Sequence, residues 1–259
     1  PAEYGRLSRP LPPVLERALG QCGIGCLYSH QAEAIDALRA GQHVMVTTGT
    51  ATGKSLCYDV PVLESVLAEP ESRALYLFPT KALAQDQLRS LRQLTSFGLG
   101  TARAATYDGD TPVSTRPRAR RKATIILSNP DMLSVGILPN HSRWAFFFRH
   151  LRYVVLDEAH TYRGIFGSHV ACLMRRLRRV CALYGSQPQF ILCSATIANP
   201  ESHALRLTGH KVTVIDHDGA PHGPREFVLW NPPFLDKRLG VRRSVNTDAT
   251  RIFTEMVRR

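Results

Sequence analysis

Six short apolar runs between residues 43 and 193 each end in a cluster of polar, chemically capable side chains, and this repetition limits the fold most. "HVMVT" (43–47) leads into "TGTATGKS", "ALYLF" (74–78) into "PTKALAQDQ" and "ARAAT" (102–106) into "YDGDT". "TIIL" (124–127) leads into "SNPD", "YVVL" (153–156) into "DEAH" and "FILC" (190–193) into "SAT". Such runs fit strands buried on both faces, and helical periodicity fills the intervals, as at Ala82–Leu94 and Val170–Tyr184. Strands alternating with helices predict an α/β fold, a mostly parallel sheet flanked by helices with right-handed crossovers. Ligands of such sheets bind at the carboxyl ends of the strands. All six polar clusters therefore belong to one edge.

A chain of 259 residues with 44% hydrophobic side chains buries a sizeable core. Its net charge of +12 points to a polyanionic partner. Nucleic acid fits better than a membrane, because no stretch approaches the apolar length of a span. A solvated basic surface is the reading that charge alone leaves open. The scattered cysteines (22, 26, 57, 172, 181, 193) read as reduced thiols of a cytoplasmic protein. Cys22 and Cys26 have the spacing of half a metal site, but no second Cys or His pair matches it. The start at Pro1, without a signal sequence, reads as a piece of a longer chain.

The stretch "TTGTATGKS" ends like a phosphate-binding loop, yet the strict pattern wants glycine where Thr48 stands. Gly49 and Gly53 still give room for backbone N–H groups to surround phosphates, with Thr48, Thr50, Ala51 and Thr52 between them or beside them. Lys54 would reach the β- and γ-phosphates of ATP, and the Ser55 hydroxyl would coordinate Mg²⁺. On this motif alone, a strand-to-helix turn with an exposed lysine is the competing reading. "LDEAH" supplies a second half. Asp157, directly after an apolar strand, suits the carboxylate that holds Mg²⁺, and Glu158 can orient and deprotonate an attacking water.

The ordered set "TGTATGKS", "PTKALAQDQ", "SNPD", "DEAH" and "SAT" resembles the first RecA-like domain of superfamily 2 DExH helicases. "LYSHQAEAI", "GTATGKSLCY" and "DEAHTYRGIFGSHV" are closer to the bacterial mitomycin repair factor A family, distantly RecQ-like DNA helicases. The resemblance covers about residues 12–259 and implies an ATP-dependent motor of DNA repair, with an RNA helicase or a nucleotide-gated binding module as alternatives. It implies that Gln31 reads adenine and that Tyr28 packs near the base. Lys54 and Ser55 match motif I, and Asp157 and Glu158 match motif II. His160 matches the residue linking the nucleotide site to motif III, which Ser194, Ala195 and Thr196 match and which couples hydrolysis to nucleic-acid contact. In this superfamily a small residue replaces the first loop glycine, so Thr48 fits; Ala51 is the unusual position, where glycine is common.

On the nucleic-acid side the resemblance assigns strand contacts to Thr80 and Lys81, to Asp108, Gly109, Asp110 and Thr111, and to Asn129, Pro130 and Asp131. Tyr162, Arg163 and Phe166, in an apparent loop flanked by glycines, match a segment that senses single-stranded DNA. The basic run "RPRARRK" (116–122) reads equally as a phosphate contact or a solvated loop. In "MRRLRR" (174–179), Met174 and Leu177 continue a core stripe and the arginines lie on the outer face, where solvation is the favoured reading.

After Ala198 the pattern loosens. "VTVI" (212–215) and "FVLW" (227–230) read as a possible strand pair, and 231–244 as a linker. The tail reads as a helix start capped at Asn246, Thr247 or Asp248, with Ile252, Phe253, Met256 and Val257 as its apolar stripe. The expected division is a RecA-like domain over 1–235, opened by a helical segment over about 1–40, and a linker with the first helix of a second RecA-like domain over 236–259. The arginine finger belongs to that second domain, so the 259-residue chain alone is expected to bind ATP–Mg²⁺ and single strands weakly, with negligible unwinding.

Overall fold

Each of the six apolar runs is a strand in the computed structural model of the protein, which describes residues 1–221, 223 and 228–258. They are β1 (Val44–Thr47), β2 (Arg73–Leu77), β3 (Ala104–Thr106), β4 (Ile125–Ser128), β5 (Leu151–Leu156) and β6 (Gln189–Ser194). A further strand, β7 (Thr213–Ile215), closes one edge. The order is β3-β4-β2-β5-β6-β1-β7, and every pairing in this sheet is parallel. α1 (Pro13–Gln21) and α2 (Ser29–Arg39) precede β1, and the intervals hold α3 (Leu56–Ala68), α4 (Lys81–Ser96), α5 (Arg116–Lys122), the short α6 (Pro130–Met132) and α7 (Ala145–Arg149), α8 (Gly164–Leu183) and α9 (Pro200–Thr208).

Successive residues of a strand point to opposite faces, and the sheet sorts them into two cores. Val44, Val46, Ala74, Tyr76, Ile125, Leu127, Ile191 and Cys193 join side chains of α1 to α4 in one core. Met45, Leu75, Leu77, Ile126, Phe190 and Leu192 join α8, α9 and the turn-rich segment from Leu133 to Phe148 in the other. Burial on both sides is why the runs are apolar without alternation.

Helix α8 buries Val170, Leu173, Met174 and Leu177, as their spacing requires. It starts at Gly164, earlier than the stripe suggests, because Ile165 and Phe166 face outward. The residues after the DEAH stretch are therefore mostly helix rather than loop. Tyr162 is buried and its hydroxyl donates to the Leu77 carbonyl at 3.5 Å, so it belongs to the core and not to an exposed sensor. A Cβ on Gly167 would come within 2.4 Å of the Tyr162 carbonyl oxygen, which fixes glycine at that contact.

Other expectations change near the chain's end. β7 pairs with β1, so 212–215 is a sheet edge and not half of a hairpin. Val228, Leu229 and Trp230 form no strand, and Phe227 lies outside the described residues. The basic run 116–122 is helix α5, started by Pro117 in its first turn, rather than a loop. The chain divides into two compact units, Pro1–Pro221 and His222–Arg259, earlier than the boundary read at 235.

Within the second unit, the stretch read as linker holds the antiparallel pair β8 (Phe234–Asp236) and β9 (Val241–Arg242). The turn is local chemistry: Asp236 Oδ1 accepts from the N–H groups of Arg238 and Leu239, and Gly240 takes φ +66°. Helix α10 (Val245–Val257) starts after Ser244, which holds the N-cap position without a side-chain cap bond, earlier than the 246–248 start read from the sequence. Asp248 lies inside the first turn, where its carboxylate accepts from Trp230 Nε1 at 3.1 Å and Arg243 at 2.9 Å. These bonds, with the favourable helix N-terminus, hold its carboxyl below the usual range. Among the described residues no helix is long and apolar enough to cross a membrane.

Candidate active site

The parallel register brings the strand ends into line. Thr47 pairs with Ser194, and Leu77 pairs with both Ser128 and Leu156. The Asp157 N–H donates to the Leu77 carbonyl at 3.0 Å, extending the ladder one step and setting Asp157 at the sheet edge.

Between β1 and α3, residues 48–55 form a tight loop braced from within. The Thr48 and Thr52 hydroxyls are 2.7 Å apart, and Thr52 also donates to the Gly49 carbonyl at 3.1 Å. Thr48 has no positive φ, so no glycine is required there. Thr50 is exposed. Ala51, however, adopts φ +60°, a conformation that costs an L-residue about 1–2 kcal/mol and that glycine adopts freely. Gly53 has φ +74°, and a Cβ on it would sit 2.6 Å from Gln31 Nε2. Lys54 donates its ammonium to the carbonyls of Gly49 and Thr48, and the Ser55 side chain makes no cap bond at the head of α3. Small residues, a helix N-terminus and one ammonium make a cradle suited to phosphate.

Gln31 is buried against this loop. Its Oε1 accepts from the Tyr28 N–H and its Nε2 donates to the Gly53 carbonyl, both at 2.9 Å. Both ends of the amide are thus engaged, and Gln31 ties the head of α2 to the phosphate loop. Tyr28 stacks on Tyr4, centroids 5.7 Å apart, beside a cleft of about 650 Å³ that Gln31, Ala51, Gly53 and Ser55 also line. An open cleft walled by tyrosines and adjoining the cradle can take a planar base.

Across the edge, Asp157 Oδ1 accepts from the Glu158 N–H at 2.8 Å and Oδ2 accepts from the Tyr58 hydroxyl at 2.9 Å. Burial raises the Asp157 carboxyl above its usual range, the two hydrogen bonds opposing it. Glu158 adopts the left-handed conformation, φ +49°, and its Oε2 lies 3.3 Å from His160 Nδ1. The same nitrogen lies 3.4 Å from Ser194 Oγ and accepts from the Ala195 N–H at 3.4 Å. One imidazole thereby joins residues 158 and 194–195, while Thr196 is exposed.

The remaining sequence candidates are spread along the same edge. Thr80 caps α4, accepting from the Leu83 N–H. Lys81 reaches Asp110 Oδ1 at 2.8 Å, a bond that raises its pKa. Gly109 is exposed beside Lys81. Asp108 differs from the expectation: it is buried, and its Oδ1 accepts from the N–H groups of Asp110 and Thr111 and from the Thr111 hydroxyl, each at 3.0 Å. Such a carboxylate shapes its own loop. Asn129 caps α6 by accepting from the Met132 N–H at 2.8 Å, and Pro130 is buried behind it. Arg163 stands at the N-cap position of α8 without a side-chain cap bond and is exposed, and Phe166 is 40% exposed with its ring 5.7 Å from that of Tyr162.

Several residues of this site carry no motif. His30 is fully buried; its Nδ1 accepts from the Gly219 N–H, which leaves Nε2 to donate to the Thr52 carbonyl at 3.1 Å. Burial lowers its pKa, in keeping with a neutral ring bracing the loop. Asp218 Oδ2 accepts from the Gly49 N–H at 3.2 Å. Tyr58, Asp218 and Tyr4 act across long sequence separations, and nothing local marks them.

The model of the DEAD/DEAH box helicase family matches residues 28–204. The chain is 45% identical over 255 residues to the ATP-dependent helicase YprA of Bacillus subtilis, covering 97% of this chain and 34% of that protein. It is 48% identical over 242 residues to the ATP-dependent helicase hrq1 of Schizosaccharomyces pombe, covering 92% of this chain and 23% of that one. A crystal structure of the DUF1998 helicase MrfA bound to DNA and AMPPNP superposes with a TM-score of 0.90 at 44% identity, over 99% of this chain and 36% of that one. The chain thus spans roughly a quarter to a third of the relatives it matches.

Proposed function

Because the chain belongs to the DEAD/DEAH box helicase family, we propose that it is the nucleotide-binding motor domain of an ATP-dependent DNA helicase or translocase serving DNA repair. The observation that carries this reading is the sheet edge where the loop 48–55 follows β1 and the pair Asp157–Glu158 follows β5, with His160 contacting both Glu158 and residues 194–195. Likeness to a DNA-bound helicase structure supports DNA over RNA. The six free cysteines accord with a reducing cytoplasm. The second unit, with its hairpin and α10, supplies the approach to a second RecA-like domain of the same protein, from which the arginine finger comes.

In this role Lys54 and the loop N–H groups hold the ATP phosphates, with Tyr28 and Tyr4 flanking the base. Ser55 and Asp157 would hold Mg²⁺, whose charge offsets that developing on the phosphates. Glu158 takes the proton of the attacking water. Residues 80–81, 109 and 129 grip a single-stranded phosphate backbone at the same edge, with Arg163 and Phe166 beside it. The deciding experiment compares ATP hydrolysis by the full-length protein with no nucleic acid, with single-stranded DNA and with RNA. Strong stimulation by DNA is expected, and preferential stimulation by RNA overturns the assignment.

Tyr58 is the residue that steadies Asp157 for this task. Tyr58→Phe removes the hydroxyl that donates to Oδ2 while keeping the buried ring in place. Loss of such a supporting bond typically weakens metal binding by about tenfold or more. A Mg²⁺ titration of the ATPase should shift its midpoint upward by about that factor. An unshifted midpoint would refute the positioning role.

A further inference from the structure

The outer face of α8 carries Arg175, Arg176 and Arg179, all exposed, with Arg178 half-buried. The helix contains no aspartate or glutamate anywhere along its length. Three clefts flank this face: a small one of about 340 Å³ holds Arg176 with Asp131 and Phe166, and the other two share Arg175. Of these two, one, of about 680 Å³, is lined also by Arg163 and Arg206; the other, of about 760 Å³, is lined by Arg178 and Arg179. No carboxylate lines either of these two. Among the described residues none of these arginines is ion-paired: Arg175 donates to Cys172 Sγ, Arg176 to Ser134 Oγ and Arg178 to the Thr208 carbonyl.

A merely solvated helix face does not account for this. Arginines at i, i+3 and i+4 repel one another, and solvated faces relieve such repulsion with acidic neighbours that α8 lacks. The helix dipole favours cations only in the last turn, and the last turn of α8 has none. An external anionic complement would relieve this repulsion. Arg163 precedes α8 at the sheet edge where the strand-contact residues lie, and Arg179 sits about 24 Å further along the helix by its rise per residue. A strip that begins at the proposed strand track and runs away from it suits a nucleic-acid backbone better than an unconnected acidic protein. Single strands are held by stacking on aromatics as well as by charge. The arginine-bearing part of α8 exposes no aromatic ring, which suits contact with phosphates alone, the mode of a duplex.

We propose that the outer face of α8, with Arg163 and Arg206, is a docking strip for the phosphate backbone of the duplex adjoining the single strand held at the sheet edge. This rests on the motor reading above. The test uses full-length protein carrying Arg175→Glu and Arg179→Glu, both side chains solvent-facing and outside the nucleotide site. Binding is measured against a duplex with a single-stranded tail and against the single strand alone, across a salt series.

The expected result is a loss of tailed-duplex affinity on the order of tenfold and a salt slope reduced by about two. Single-strand and nucleotide affinities should stay within about twofold of the unaltered protein. The pair Arg175→Gln and Arg179→Gln, which keeps side-chain length, should show the same pattern more weakly and stands in if charge reversal impairs folding. Unchanged duplex affinity and slope would overturn the strip, as would an equal loss for duplex and single strand. Recognition of an acidic polyglutamate peptide, lost in the variants while duplex binding persists, would assign the strip to a protein instead. Failure of the unaltered protein to bind nucleotide or either DNA would refute the motor reading itself, a result distinct from a duplex-specific failure.

Discussion

Replacing Glu158 with glutamine should leave ATP binding intact and lower hydrolysis on the order of a thousandfold, the typical worth of a positioned general base. The geometry explains why these two properties separate. Asp157 Oδ1 accepts from the backbone N–H of residue 158, not from its side chain, so the carboxylate proposed to hold Mg²⁺ keeps its support in the variant. The left-handed backbone at 158 is held by the Thr161 N–H and hydroxyl, which both donate to the Glu158 carbonyl at 2.9 and 2.8 Å. Glutamine adopts that conformation at the same cost and has nearly the same shape. What it lacks is a basic oxygen. Equilibrium titration with nucleotide, beside steady-state phosphate release, measures the two consequences; turnover equal to that of the unaltered enzyme would remove Glu158 from its role.

The largest effect on stability should come from Asp59→Asn. Asp59 on α3 is 4% exposed, accepting from the Tyr76 hydroxyl at 3.1 Å and from Gln87 Nε2 at 2.7 Å. Burial pushes its carboxyl up to about 8 despite these two donors. An unfolded aspartate titrates near pH 3.9, so between about pH 4 and pH 8 the folded protein holds a proton that the unfolded chain has released. Stability from this group is therefore greatest at low pH and falls as pH rises through that window, by on the order of 5 kcal/mol in all. Asparagine carries no such penalty: its oxygen still accepts from Tyr76, and its amide can donate to a rotated Gln87. The variant should match the unaltered protein near pH 4 and exceed it increasingly toward pH 8, as read from urea unfolding at each pH. Parallel curves for the two proteins would contradict the buried, protonated assignment.

Strands buried on both faces announce themselves, and β1, β2, β4, β5 and β6 were legible because each places neighbouring residues in different cores. The placement of the loop 48–55 and the pair 157–158 at strand ends was legible because each directly follows an apolar run. Less was readable where distant segments meet. Tyr58 and Asp157 are 99 residues apart, and His30 meets Gly219 across 189. The early start of α8 was hidden because its first turn faces solvent and contributes nothing to an apolar stripe. Tyr162 misled for the converse reason: one buried aromatic just ahead of two glycines has no period to betray it. The hairpin at 234–242 was masked by arginines and prolines that resemble a linker, although Asp236 and Gly240 encode its turn.

The division of the strands between two cores bears on how the motor could signal. Helix α3, which follows the phosphate loop, packs in one core, and α8 with its arginines packs in the other. The sheet between them is a shared wall, and a close-packed apolar wall resists piston-like deformation. News of a spent nucleotide would then travel around the rim instead of through the wall, by the short relay of residues 157 to 163 that runs from the carboxylate proposed to hold Mg²⁺ to the start of α8. Timing in such a machine would be set by a handful of rim contacts, and the body of the fold would serve as the frame against which they move.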